Sequence, residues 1–199
     1  MSALTELCRK MASCQACDLA QVRTRVVPGE GAEHADILFI GEAPGFNEDR
    51  EGRPFVGAAG AFLDELLSSI GLSRNEVYIA NVIKCRPQAN RDPLPIEIRA
   101  CKPWLDQQIE LIRPKVIVTL GRYSLARYIG NESISRVHGK PRKVGDVLCF
   151  PMYHPAAALH QGSLRKVIEE DMRRLPQLLR DIDSFTGRTD GSGRQLDLF

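Results

Sequence analysis

Apolar residues fall along this chain in two alternating rhythms, short unbroken runs and longer stripes at helical spacing. Leu4, Leu7 and Met11 predict a first helix over residues 3–11, ending near Cys14. The run Ile37-Leu38-Phe39-Ile40 predicts a buried strand over residues 36–40. Phe62, Leu63, Leu66, Leu67 and Ile70 then form one face of a helix over residues 60–70, with Gly71 as its C-terminal cap. A second strand is expected over residues 77–83. Residues 95–112 read as helical, although Pro103 should kink or break them. A third strand over 115–120 precedes a helix over 121–129. Residues 147–152 read as a fourth strand, the return arm of a hairpin. Leu164, Val167, Ile168, Met172 and Leu175 give residues 163–175 one apolar face.

Strands alternating with helices predict a three-layer α/β/α fold around a central four-stranded, mostly parallel sheet, one domain over residues 1–180. In such sheets ligands sit beyond the carboxyl ends of the strands. Three polar segments fall there: the stretch GEAPGFNEDREGRPFVGAAG over 41–60, Asn81 to Cys85, and Tyr153-His154-Pro155-Ala156. The first reads as a long loop between strand and helix, and such loops inside compact domains are usually functional. Its glycines let a ligand touch backbone, its acids Glu42, Glu48, Asp49 and Glu51 supply chemistry, and Phe55 supplies a stacking face. Residues 181–199 differ in kind. SFTGRTDGSGR predicts a flexible arm, ending in the apolar-rich Gln195-Leu196-Asp197-Leu198-Phe199. That peptide either folds back on the body or docks in a partner's apolar groove.

Composition narrows the picture only a little. With 199 residues, 43% hydrophobic and 26% charged, the chain can bury a full core. A formal charge of +2 names no partner. Locally, residues 133–145 carry no acid while Arg136, His138, Lys140, Arg142 and Lys143 crowd together, as a solvated loop or a phosphate-binding one. No apolar run is long enough to span a membrane. The start, MSALTELCRKMASC, lacks a signal-peptide core, so a cytoplasmic protein is expected. Its six cysteines are then not expected to form disulfides. Cys14 and Cys17 form a C-x2-C pair; with Cys85 and Cys101 they can close a tetrahedral zinc site or hold an iron–sulfur cluster. Spacing does not separate the two. Cys8 and Cys149 read as small hydrophobes.

GEAPG followed by E-D, then GRPFVG-x-AG, N-x-x-K-C-R-P and HPA, in that order, resembles the family 4 uracil-DNA glycosylases. These are bacterial and archaeal repair enzymes of the uracil-DNA glycosylase superfamily that carry a [4Fe–4S] cluster. The resemblance runs from Cys14 to His154 and beyond. It implies a structural [4Fe–4S] cluster on Cys14, Cys17, Cys85 and Cys101, and no catalytic metal. It also implies a monomeric, monofunctional glycosylase that hydrolyses the N-glycosidic bond of deoxyuridine in single- and double-stranded DNA. The abasic site left behind initiates base excision repair.

Such an enzyme must extrude the nucleotide from the stack. Gly41, Ala43 and Phe55 belong to the motif that receives the base, with Phe55 as stacking platform. Asn81 accepts from uracil N3–H and donates to O4; cytosine presents the reverse pattern and is rejected. His154, neutral, donates to O2 as charge develops there. Glu48 positions the base or excludes the thymine methyl. In the best-known family of the superfamily an Asp activates water two residues after the motif's Gly. Here Ala43 fills that slot, leaving Glu42 or Asn90 to act on the water.

Arg86, Arg91, Lys140, Arg142 and Lys143 are candidate phosphate contacts, which makes binding salt-dependent. Leu159 either wedges into the space left by the base or packs its helix. The terminal QLDLF resembles the peptide with which bacterial repair proteins dock on the polymerase sliding clamp, implying a bacterial, nucleoid-associated protein. A cross-linking relative carries a His in an Arg-rich insertion between its third and fourth cysteines; here RPQANRDPLPIEIRA has neither. A non-catalytic iron–sulfur or zinc protein binding nucleic acid is opposed by the intact Phe55, Asn81 and His154.

Overall fold

The computed structural model describes residues 1–182, so the terminal peptide from Gln195 to Phe199 lies outside the described residues. The strands are β1 (Glu30–Gly31), β2 (Ile37–Gly41), β3 (Tyr78–Asn81), β4 (Val116–Leu120), β5 (Arg142–Val144) and β6 (Val147–Met152). The helices are α1 (Ala3–Ala12), α2 (Leu19–Val22), α3 (Phe46–Glu51), α4 (Ala58–Ser69), α5 (Pro95–Ile112), α6 (Arg122–Ile129), α7 (Ile134–Val137), α8 (Pro155–His160) and α9 (Ser163–Arg180). They build one six-stranded sheet in the order β1-β3-β2-β4-β6-β5.

The four expected strands are the inner four, all parallel. The sheet is wider than four strands because each edge carries a short antiparallel partner. β1 pairs with β3 through Glu30↔Ile79 and Gly31↔Tyr78. β5 pairs with β6 across a tight turn at Gly145 (φ 59°). A strand as short as β1 shows no periodicity; it is held by β3 and by the ion pairs of Glu30 with Arg53 and Arg74.

Alternation along the inner strands sorts side chains between two cores. On one face Ile37, Phe39, Val118 and Phe150 meet Phe62, Leu63, Leu66 and Leu67 of α4 and Ile168, Met172 and Leu175 of α9. On the other, Leu38, Ile40, Ala80 and Ile117 meet Leu4, Leu7 and Met11 of α1 and Leu105 and Ile112 of α5. These are the three layers that the sequence predicts.

Two expectations need correction. The stretch 41–60 is not a continuous loop: it contains α3, and α4 starts early behind the N-cap Gly57. Pro103 does not break α5, which runs through it for 18 residues. The missing N–H leaves the carbonyl of Arg99 without a helical partner, but Arg99 is exposed, where water can take the bond. Burial of Leu105, Gln108 and Ile112 beyond the proline carries the helix onward. α9 likewise passes through Pro176 and extends to Arg180.

Candidate active site and cysteine-lined cavity

β2 lies between β3 and β4, so the chain leaves it once on either side and opens a crevice at the strands' carboxyl ends. A cavity sits there, lined by Ala43, Gly45, Glu48, Phe55, Ala59, Asn81 and His154. Asn81 ends β3, in register with Gly41 at the end of β2. It is only 2% exposed, and its Oδ1 has no hydrogen-bond partner among the described residues. A buried acceptor without a donor costs roughly 1–3 kcal/mol and marks a place where a ligand N–H belongs. A Cβ on Gly41 would lie 2.4 Å from that oxygen and 2.7 Å from Cζ of Phe55, so only glycine lets both side chains reach the cavity.

His154 follows β6 and caps α8. Its Nδ1 accepts a hydrogen bond from the backbone N–H of Ala156 at 3.1 Å, so the ring proton resides on Nε2. Burial pushes its pKa down to about 4, and the ring is neutral at physiological pH. Phe55 packs directly on it, with ring centroids 5.4 Å apart and planes 23° from parallel. No aromatic plane fits between them; a ligand ring can lie over the open part of Phe55 with Nε2–H at its edge.

Phe55 is a core residue, 5% exposed, as well as a cavity wall. Its φ of 53° is strained for a side chain of this bulk, at a cost of about 1–3 kcal/mol. Two features hold it. A Cβ on Gly60 would sit 1.7 Å from the Phe55 carbonyl oxygen, so the backbone closes on glycine there. Arg74 donates to that carbonyl and, at 2.9 Å, to the carbonyl of Pro54, while pairing with Glu30 and Asp64. Arg74 sits in a connecting turn without periodic or motif signal, and the sequence does not betray its role.

Glu48 faces the cavity but is engaged by backbone. Its Oε1 accepts from Val56 and Gly57 at 2.9 and 3.1 Å, and its Oε2 from Gly45 at 3.1 Å. It ties the start of α3 to the Phe55 segment. Glu42 and Asn90 do not line the cavity. Glu42 is half-buried near Asp92 and Arg122, and burial and Asp92 raise its pKa. Asn90 is exposed, at φ 54°, and accepts from Arg86 Nε at 2.6 Å.

A second cavity is walled by Cys14, Cys17, Cys85 and Cys101 together with Met11, Leu19, Val26, Ile83 and Trp104. Among the described residues no three His, Cys, Asp or Glu converge closely enough to hold a metal ion. Four thiols spread around a shared apolar chamber suit a group larger than one ion. Three of their sulfurs already face N–H donors: Arg23 to Cys85 at 3.3 Å, the Lys84 backbone to Cys101 at 3.2 Å and the Trp104 indole to Cys14 at 3.2 Å. Such donors stabilise the negative charge of ligating sulfur, so the residues fit an iron–sulfur cluster. Burial pushes the Cys101 thiol up to about 11, and a cluster would displace its proton. Lys84, fully buried, closes the wall with its Nζ 2.9 Å from the Asn81 carbonyl oxygen. A lysine ending the apolar run Val82-Ile83 was the signal for it. Cys8 lies 3.8 Å from the Tyr78 hydroxyl and Cys149 is buried in β6, both apart from this chamber.

The expected phosphate contacts divide. Arg91 is bound to Glu97 as part of the entry to α5, and Arg142 is paired with Glu132. In both pairs the carboxylate lies nearby along the chain, Glu97 at the first turn of α5 and Glu132 just before α7, and the fold brings it onto the guanidinium. Lys140 is exposed and donates to the Arg136 carbonyl at 2.8 Å; Lys143 is exposed on β5. Among the described residues Arg86 bonds only Asn90 and the face of Phe46. Leu159 is 51% exposed on α8, so it does not serve to pack that helix.

A family model described as the uracil DNA glycosylase superfamily matches residues 28–175. The type-4 uracil-DNA glycosylase of Sulfurisphaera tokodaii is 50% identical over 89% of this chain and 86% of its own. That of Archaeoglobus fulgidus is 48% identical over 89% and 94%. That of Thermotoga maritima is 43% identical over 86% and 92%. With the match spanning both the strand-end cavity and the sheet beneath it, the chain belongs to the uracil-DNA glycosylase superfamily, beside its type-4 members.

Proposed function

We propose that this protein excises uracil from DNA by hydrolysing the bond between uracil N1 and deoxyribose C1′. The observation that carries the proposal is the unpartnered Oδ1 of Asn81, buried in the cavity beside Phe55 and His154. A base flipped from the stack lies on Phe55. Uracil N3–H supplies the missing donor to Asn81, whereas cytosine would set an acceptor against it. As the C1′–N1 bond breaks, the electron pair moves onto the base and is felt at O2. The Nε2–H of His154 stabilises it there without giving up the proton. Water adds to C1′ and loses a proton. Glu48 is committed to three backbone N–H groups, so Glu42, next to the lining residue Ala43 and with a carboxylate that bonds no group among the described residues, is the acid left to polarise that water.

Cys14, Cys17, Cys85 and Cys101 would hold a [4Fe–4S] cluster, which supplies cross-bracing and no bond-making chemistry. Purified protein should be brown and release uracil from oligonucleotides without added metal, and Asn81→Asp should lose most of that activity while melting like the parent. Absence of uracil release from the parent protein, or full release by Asn81→Asp, contradicts the assignment. The terminal Gln195 to Phe199 is proposed to bind the polymerase sliding clamp. Deleting it should abolish clamp binding in a pull-down and leave oligonucleotide activity intact; retained binding refutes it.

A further inference from the structure

One aromatic side chain at the cavity's rim has no part in the core. Phe46 opens α3, immediately after the lining residue Gly45 and two before Glu48, yet it is 51% exposed. Two guanidiniums lie over its ring: Arg86 at 5.1 Å and Arg50 at 5.6 Å from the ring centroid. Neither is paired with a carboxylate among the described residues; Arg86 bonds only the neutral Asn90 amide. This sets them apart from Arg91, Arg122 and Arg142, each of which is neutralised by an acid.

The ring is open to solvent on α3, and both guanidiniums over it keep their charge uncompensated among the described residues. Cation–π contact fixes the guanidiniums beside the ring while leaving their N–H groups to donate. A ring with two anion-seeking guanidiniums lying over it fits a nucleotide, the base stacking against this aromatic–guanidinium group and the phosphates on the arginine N–H groups. The site therefore complements nucleic acid rather than an apolar peptide. Phe46 hangs on the same short helix that Glu48 ties to the base cavity, so a nucleotide on Phe46 lies next to one whose base is in the cavity.

Resting on the glycosylase reading, we infer that Phe46, Arg50 and Arg86 form a second stacking platform that holds a nucleotide flanking the extruded uridine. A stacked neighbour keeps the strand from collapsing back after flipping. The contribution is greatest in single strands, where no opposing strand holds the flanking base.

The test uses full-length protein and single-stranded oligonucleotides with one uracil and 2-aminopurine at each flanking position in turn. Phe46→Ala should raise KM for uracil release about tenfold with kcat changed less than twofold, the weight of roughly one stacked base. Phe46→Trp should restore KM. Quenching of 2-aminopurine on binding should occur at one flanking position in the parent and vanish in Phe46→Ala. Arg50→Gln with Arg86→Gln should lower the slope of log K against log salt by about 1.4, two contacts at the single-strand value. Since Phe46 is exposed, its removal does not threaten the core. An active parent whose Phe46→Ala variant keeps the parental KM and quenching overturns the platform alone; a parent that releases no uracil overturns the glycosylase reading and the platform with it.

Discussion

At the scale of single residues the chemistry turns on where one proton sits. The backbone N–H of Ala156 occupies Nδ1 of His154, and burial holds the ring's pKa at about 4 against an ordinary 6.5. The sign of the consequence follows. As pH falls, the unfolded chain protonates this imidazole first, so its contribution to stability is complete above the ordinary imidazole range and drains away between there and about 4. For catalysis the same shift keeps the Nε2–H donor neutral through mildly acidic conditions. The pH profile of kcat/KM for uracil release should therefore show no limb from His154 between about pH 5 and pH 8. A limb near 6.5 that disappears in His154→Gln would contradict the buried neutral ring. The sequence made His154 and Asn81 visible because each follows an apolar run at a strand end, and Phe55 because it is an aromatic set between Pro54 and Gly57 in a polar stretch. It did not expose Arg74, whose partners Glu30, Pro54, Phe55 and Asp64 are scattered along the chain and meet only in the fold.

At the scale of elements, long periodic segments were legible and short ones were not. The inner strands and α1, α4, α5 and α9 announce themselves because each buries several apolar residues in one rhythm. β1 and α3 do not, since neither carries enough apolar period to register. Yet α3 sets the cavity's wall. Glu48, an acid that in sequence resembles its solvated neighbour Glu51, gathers three backbone N–H groups and so fixes α3 against the Phe55 segment. Glu48→Gln keeps the shape but leaves one acceptor atom where there were two and removes the charge. It should cost about 2 kcal/mol of stability, or about 6 °C in Tm. Uracil release should fall by more than tenfold, because strained Phe55 would relax from its position. Unchanged Tm by calorimetry together with unchanged release would return Glu48 to the status of a solvated loop acid.

At the scale of the whole molecule, the base cavity and the cysteine chamber share one segment of chain. Asn81 faces the first and Cys85 the second, with buried Lys84 between them, its Nζ on the Asn81 carbonyl and its backbone N–H on Cys101. The chamber also gathers segments remote in sequence: Cys14 and Cys17 between α1 and α2, Cys85 after β3 and Cys101 on α5. A cluster there would staple the N-terminal helices to the sheet at the point where Asn81 is anchored. Loss of the cluster should then act in two places. Cys101→Ser should yield colourless protein with a lowered Tm, because four segments lose a common tie. It should also weaken uracil release, because the Lys84 amide loses its thiolate partner and Asn81 its fixed support. Cys8→Ser, beside Tyr78 and away from the chamber, should keep colour and activity. Absorption spectra, melting curves and uracil release measured on the same preparations separate the possibilities. Colourless Cys101→Ser protein with parental kcat and KM would mean that the two cavities are independent and that Lys84 merely fills the wall between them.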